Sequence, residues 1–413
     1  MRIESWRSNI AQYFPEFVLP AEIGLSVLCQ LLIEDVSNPF GLVYIGMPSS
    51  GKTITLNFLS EIEELVYTTD NFSPASFVSH ASNVKREQLE KIDLLPRIKN
   101  KVLIVRDLAP ILGKRDDDLL TCMGILTRVF DGEGLQIDSG LHGQRGYKGD
   151  YLFMFLAAST PIAPKVWKVM GNFGSRLFFY YVDAPDKSAS VLAEQLTSDL
   201  SVKDKEKFCR GKTTEFVRSL WDRSDGIFWD RTNDNKAVLE EIALVAQLVA
   251  CLRGTINVWK DGTGDDNYNH TIPQIEKPDR INQCFYNLAR GHAVACGRTS
   301  INDDDLSIVI KVALSSASLD RIKALNLLIK FDGVLTTEDV IHGIKCSRPT
   351  ALKLMEMLGL LNIVKEIPQI DHSIGRTEKY IGFKEPFSWF ISDRFKKLNA
   401  YIRSDLLNQL INK

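Results

Sequence analysis

The octapeptide Gly46-Met-Pro-Ser-Ser-Gly51-Lys52-Thr53 fits the pattern Gly-x-x-x-x-Gly-Lys-Ser/Thr without a mismatch. Its chemistry is phosphate binding. Gly46 and Gly51 let the main chain curl so that N–H groups face an anion. Lys52 brings a mobile cation to the β- and γ-phosphates, and the Thr53 hydroxyl is a ligand for Mg²⁺. The expected cradle for ATP is therefore Gly46, Pro48, Ser49, Ser50 and Gly51, continued by Lys52, Thr53 and Ile54. Hydrolysis of the phosphoanhydride also needs an acid at the end of a neighbouring strand. Val102–Val105 followed by Arg106-Asp107 is the candidate. Arg106 stands where the first acid of an Asp-Glu pair is expected. Asp107 is then either a metal-binding acid displaced by one residue or the acid that orients the attacking water. Thr160, after the apolar run Tyr151–Ala158, is placed to touch a γ-phosphate or the lytic water. Arg176 follows a glycine-bearing turn and precedes a strand, a position from which a guanidinium can project across a subunit boundary.

These groups must be positioned by strands and helices. Short apolar runs at Leu42–Ile45, Val102–Val105, Tyr151–Ala158 and Leu177–Val182 alternate with helical stretches, including Thr53–Leu65 after the glycine loop. Such alternation predicts an α/β domain with a largely parallel sheet. Residues 1–35 read as a helical lead-in, and 36–185 as the nucleotide-binding core. Residues 186–317 read as a helical region without strands, carrying an insertion whose role the sequence does not disclose. Residues 318–385 predict three helices and the extended pair Ile363–Ile367 and Tyr380–Phe383, the outline of a winged helix; 386–413 form a helical tail.

Composition narrows the classes. The 413 residues are 45% hydrophobic, with 50 Lys+Arg against 52 Asp+Glu and a net charge of −2. That excludes a globally basic nucleic-acid coat and a highly charged disordered chain. Tyr151–Ala158, taken as the longest apolar stretch, is far too short for a membrane span, and no signal-like region follows Met1. Seven scattered cysteines without a CxxC predict reduced thiols and no zinc site. A cytoplasmic protein without a membrane partner is expected.

In combination these motifs resemble the AAA+ ATPases, and within them the minichromosome-maintenance helicase branch. Phe155-Leu-Ala-Ala-Ser-Thr160-Pro161 is similar to that branch's sensor-1 strand, and Gly174-Ser-Arg176-Leu-Phe-Phe to its arginine-finger segment. Arg280-Ile-Asn-Gln-Cys-Phe-Tyr-Asn-Leu-Ala-Arg290, leading to Asp303-Asp-Asp305-Leu, is similar to its lid, with Arg280 as the sensor-2 arginine. The resemblance covers roughly residues 36–315. It implies an AAA+ core with an all-α lid and an assembly of usually six subunits, with ATP between neighbours. Arg176 would then act in trans, and Arg280 in cis or in trans. The missing Asp-Glu pair and the long run 186–235 depart from the family pattern.

Two regions are candidate nucleic-acid contacts. The glycine-rich stretch 131–150 carries His142, Arg145 and Lys148 beside Tyr147, where the helicase branch keeps a DNA-gripping hairpin; a surface loop touching neighbouring subunits is the other reading. In the C-terminal module a recognition helix is expected from Ser347 to about Leu358. It would present Lys345, Arg348 and Lys353, with Arg376 and Lys379 on the wing. Many winged helices bind protein instead. The leading expectation is a ring-forming ATPase that acts on DNA as a helicase or translocase. The alternatives are an ATP-dependent switch or loader with slow hydrolysis, and an ATP-controlled DNA-binding regulator.

Overall fold

The computed structural model describes the chain except 80–85, 140–142, 175, 183–185, 198, 223–225, 261–267, 369–377 and 401–413; for 86, 87, 139, 172 and 173 it describes the backbone alone. His142 and Arg376 therefore lie outside the described residues.

Two helices lead in, α1 (Ile3–Ala11) and α2 (Val18–Cys29). Then come β1 (Phe40–Ile45), α3 (Lys52–Asn57), β2 (Val66–Thr69), α4 (Arg86–Ile92), α5 (Leu94–Ile98), β3 (Val102–Val105), α6 (Ala109–Leu112) and α7 (Asp116–Val129). A hairpin of β4 (Gly134–Ser139) and β5 (Gly143–Lys148) precedes β6 (Met154–Ser159), α8 (Pro164–Phe173) and β7 (Leu177–Tyr181). Five of these strands form one all-parallel sheet in the order β2-β3-β6-β1-β7. The expected strands are present, and β2 joins them at one edge. Every residue of β1, β3 and β6 is buried, because helices cover both faces. Alternation along β1 sends Leu42 and Tyr44 into one apolar cluster, with α2 and the later helices. Val43 and Ile45 enter the other, with α5, α7 and α8.

The helix expected to reach Leu65 stops at Asn57. The chain turns there, and Phe58, Leu59 and Ile62 fill the core from the turns. Those side chains carry a helix-like apolar spacing, but they are packed by tertiary contact.

The helical region comprises α9 (Ala189–Thr197), α10 (Val202–Trp221), α11 (Lys236–Arg253), α12 (Asp279–Ala295) and α13 (Asp303–Ala313). It is not free of strands: β8 (Val258–Trp259) pairs antiparallel with β9 (Asn269–His270). Two-residue strands give too short an alternation to read from sequence. Much of α10 packs back on α1, with Trp6 Nε1 donating to Thr213 Oγ1 at 3.0 Å.

The C-terminal module holds α14 (Leu319–Lys330), β10 (Val334–Thr336), α15 (Thr337–Ile344), α16 (Arg348–Leu360), β11 (Val364–Ile367) and β12 (Tyr380–Phe383). Its strands form a three-stranded antiparallel sheet in the order β10-β12-β11, followed by helical turns over 393–400.

One stretch, Pro15–Leu32, is 18 residues long and apolar enough to cross a bilayer, which Tyr151–Ala158 is not. It is 78% buried inside the protein: α2 lies between the sheet and α12, so its apolar character serves the core. The approach is close enough that a Cβ on Gly291 of α12 would stand 2.1 Å from the Ser26 carbonyl oxygen.

Candidate nucleotide-binding site

The glycine loop leaves the carboxyl end of β1, the second strand in from one edge of the sheet. Gly46 N donates to Ser159 O at 3.3 Å, and Val182 N donates to Ile45 O at 2.8 Å, so the loop starts from a point fixed on both sides. The curl follows from two left-handed residues, Ser49 (φ 65) and Gly51 (φ 87). Gly51 has a second reason to lack a side chain: a Cβ there would meet the Phe17 ring at 1.9 Å. The segment between α1 and α2 thus forms a wall of the loop.

Lys52 is buried, and its ammonium is drawn across the turn. Nζ donates to Gly46 O and to Met47 O, each at 2.7 Å, and lies 3.2 Å from Ser50 Oγ. Burial pulls its pKa below the ordinary lysine value, and the Asp107 carboxylate acts in the opposite direction. Asp107 is thereby brought within electrostatic reach of Lys52, although β6 separates their strands. Thr53 and Pro48 are exposed at the rim, with Ser50 and Ile54 half-buried. The curled main chain and the cation at its base fit a polyphosphate, and the exposed Thr53 hydroxyl and Asp107 carboxylate are oxygen donors of the kind Mg²⁺ prefers.

Asp107 is exposed and also accepts a hydrogen bond from Ala109 N at 2.9 Å, so it shapes the start of α6 as well. Arg106 turns away from the loop, with Nη1 3.2 Å from Asp70 Oδ1 beyond the end of β2. Thr160 is exposed at the tip of β6, between the loop after β1 and Asp107 after β3.

Arg176 and Arg280 occupy the other end of the sheet. Gly41 pairs with Leu177 and Ile45 with Tyr181, so Arg176 lies near the start of β1 and Lys52 beyond its finish. The intervening strand alone spans roughly 13 Å at about 3.3 Å per residue. Arg176 Nη2 donates to Asp131 Oδ1 at 3.1 Å, and Arg280 Nη1 donates to the same oxygen at 2.9 Å. Arg280 Nη2 also donates to Phe130 O at 2.8 Å, and Arg128 approaches Asp131 Oδ2 at 3.4 Å. The side chains of Arg176 and Arg280 keep 22% and 28% exposure. Both arginines are therefore engaged within their own subunit, and neither is beside its own glycine loop. Asp131, which joins them, is the residue that motif reading missed; it carries no signal beyond opening a glycine-rich stretch.

The nucleic-acid candidates divide. Stretch 131–150 includes the antiparallel hairpin β4–β5. Lys148 is exposed and Arg145 half-buried, and Tyr147 Oη donates to Asp93 Oδ2 at 2.8 Å, which ties the hairpin to the core. In the C-terminal module, Ser347 precedes α16 as expected, but its hydroxyl lies 2.9 Å from Thr350 Oγ1. Arg348 Nη1 pairs with Glu338 at 3.1 Å, and Lys379 pairs with Glu356 at 2.7 Å and Glu366 at 3.2 Å. Lys345 and Lys353 are exposed. The start of α16 is partly covered: Tyr268 Oη donates to Pro349 O at 3.2 Å, and β8 packs on the same helix.

A second polar cluster lies behind the glycine loop, and sequence reading did not assemble it. His292 of α12 is buried between two carboxylates, Nε2 2.8 Å from Glu22 Oε1 and Nδ1 2.6 Å from Asp305 Oδ1. Arg7 binds Glu22, and Arg298 binds both oxygens of Asp305 at 2.8 Å. The partners hold the His292 pKa well above the usual value against the opposing effect of burial, and hold Glu22 down at about 2 although burial would raise it. The cluster ties α2, which abuts the glycine loop, to α12, whose first turn carries Arg280. Compared with known proteins, the chain matches no family model and no curated protein.

Proposed function

We propose that the protein is a P-loop ATPase of the AAA+ type that works as an assembly of like subunits, each completing the site of its neighbour. The observation that carries this reading is the Gly46–Thr53 turn at the carboxyl end of β1 in an all-parallel sheet, with Lys52 drawn across it and Asp107 acting on Lys52. Lys52 binds the β- and γ-phosphates. Mg²⁺ would be held by the Thr53 hydroxyl and, in one reading of Asp107, by its carboxylate, and would supply neutralisation of the phosphate charge. In the other reading Asp107 orients the attacking water; Thr160 hydrogen-bonds to the γ-phosphate. Arg176 and Arg280 share a carboxylate at the far end of the sheet, which favours the trans role for both: they complete the site of the next subunit. Catalysis is then positioning plus electrostatics. The C-terminal module, three helices with a three-stranded antiparallel sheet, is read as a winged helix, and the substrate acted upon as DNA.

The switch or loader with slow hydrolysis is the second reading. It is favoured by Arg106, which pairs with Asp70 and leaves Asp107 as a single acid, and by the neutralisation of Arg348 and Lys379. An operator-binding regulator is less well supported, since Tyr268 and β8 cover the start of α16. The deciding experiment is ATPase activity with and without single-stranded DNA, run beside a mass measurement with non-hydrolysable ATP. Assembly with DNA-stimulated turnover supports the motor, and assembly with slow, DNA-indifferent turnover supports the switch. A monomeric mass and no turnover would refute both.

A further inference from the structure

A cleft of about 960 Å³ opens where three modules meet, away from the glycine loop. One wall is α8, with Lys165, Trp167 and Lys168. The second is the stretch flanking β8 and β9, with Ile256 and Ile272. The third is the start of α14, with Arg321 and Lys323, backed by Ile344 and Met357. Its charge is one-sided: Lys165, Lys168, Arg253, Arg321 and Lys323 line it against the single carboxylate of Asp320. Arg253 is spoken for, donating to Leu177 O at 2.8 Å, and Lys165 shares Asp116 at 3.2 Å. Lys168 and Lys323 are exposed and have no ion-pair partner among the described residues. Arg321 Nη1 is anchored on Leu252 O and Gly254 O, each at 2.7 Å, while its Nε is buried without a hydrogen-bond partner. Between the cations the lining is apolar and partly aromatic, and Ile272 is 86% exposed. A groove open along one side, with cations from two modules at its rim and flat apolar surface between them, suits a phosphate backbone with unpaired bases.

We propose that this cleft binds single-stranded nucleic acid, with Lys165, Lys168 and Lys323 on the phosphates and Trp167 and Ile272 against the bases. The proposal rests on the reading of the protein as an ATPase that acts on DNA, and it moves the contact from the covered start of α16 to the groove beside it. It also supplies a route to the ATPase site. Helix α8 starts four residues after Thr160 and ends three residues before Arg176, so a strand lying on Lys165 and Lys168 rests on the element that joins those two groups.

The test is fluorescence anisotropy of a labelled 20-nucleotide oligo(dT) against the full chain with non-hydrolysable ATP, over a range of salt. The charge-reversed variant Lys165→Glu/Lys168→Glu/Lys323→Glu is compared with the charge-preserving Lys165→Arg/Lys168→Arg/Lys323→Arg, and thermal melting verifies that both fold. The expected result is a loss of at least tenfold in affinity for the glutamate variant and near-normal binding for the arginine variant. The slope of log affinity against log salt should become shallower by about 2, at about 0.7 for each lost phosphate contact. Normal binding by the glutamate variant overturns the cleft but leaves DNA as the substrate. Failure of the wild-type protein to bind the oligonucleotide overturns both. A loss of affinity shared equally by the two variants also overturns the proposal, because it points to packing rather than charge.

Discussion

The two ends of the parallel sheet use cations in opposite ways. At the carboxyl end, Lys52 is held by main-chain carbonyls of its own loop, and the Asp107 carboxylate acts on it through space. At the amino end, Arg176 and Arg280 are held by a side-chain carboxylate, Asp131. A lysine coordinated by its own loop is in place before any ligand arrives. Arginines paired to an acid must exchange that acid for another anion before they can act elsewhere. One end presents its cation from the main chain, and the other binds its cations in a side-chain ion-pair network.

The contrast is broken most severely by removing its cations. Arg176→Ala should slow ATP turnover by about 10³-fold or more, the magnitude associated with an arginine supplied in trans. Lys52→Ala should slow it by at least about 10²–10³-fold and weaken nucleotide binding as well. The sharper experiment mixes the two inactive variants: a trans site regains measurable turnover in mixed assemblies, whereas two cis roles give none. A smaller effect is expected from Asp131→Asn, which leaves the arginines without their shared charge. If Asp131 competes with a neighbour's nucleotide, ATP-driven assembly should shift to protein concentrations up to about fivefold lower, in line with the ~0.2–1 kcal/mol of a partly exposed ion pair. Weaker assembly in that variant would mean that the pair only braces the fold.

The smallest expected effect concerns the buried cluster that links the two ends, read through pH. His292 has a raised pKa, so its contribution to stability is complete below its unfolded value of 6.5 and is lost as pH rises through the folded one. Glu22 is lowered from 4.5 to about 2, so its contribution is present above 4.5 and is lost as pH falls towards 2. Asp305 is lowered too and acts in the same sense as Glu22. The melting temperature should therefore be highest between about pH 4.5 and 6.5, declining on either side. In His292→Gln the alkaline decline should flatten; an unchanged alkaline limb would show that His292 is not charged in the folded protein.

Much of the geometry at the carboxyl end was legible because it depends on neighbours in sequence. Glycine, lysine and threonine at fixed spacing specify a turn, a cation and a hydroxyl over eight residues, and the apolar run before them specifies a buried strand. The strands at Val102, Met154 and Leu177 were readable for the same reason. The four-residue edge strand β2 was not, since it offers only a short alternation, and the helix after the loop was overestimated because Phe58, Leu59 and Ile62 mimic helical spacing from turns. In the C-terminal module the cations were visible, but their carboxylate partners and the covering Tyr268 were not.

By itself the sequence determined the Gly46–Thr53 turn and the lysine within it, since these require only local backbone conformation and a few adjacent side chains. The tertiary structure decided what surrounds the turn. Phe17 closes on Gly51 from 34 residues upstream, Asp131 gathers arginines 45 and 149 residues away, and Glu22 meets His292 across 270 residues. Such pairings follow from how the strands are ordered and which helix covers which face. No local spacing encodes them, because their free energy comes from burial and charge compensation between segments that only folding brings together.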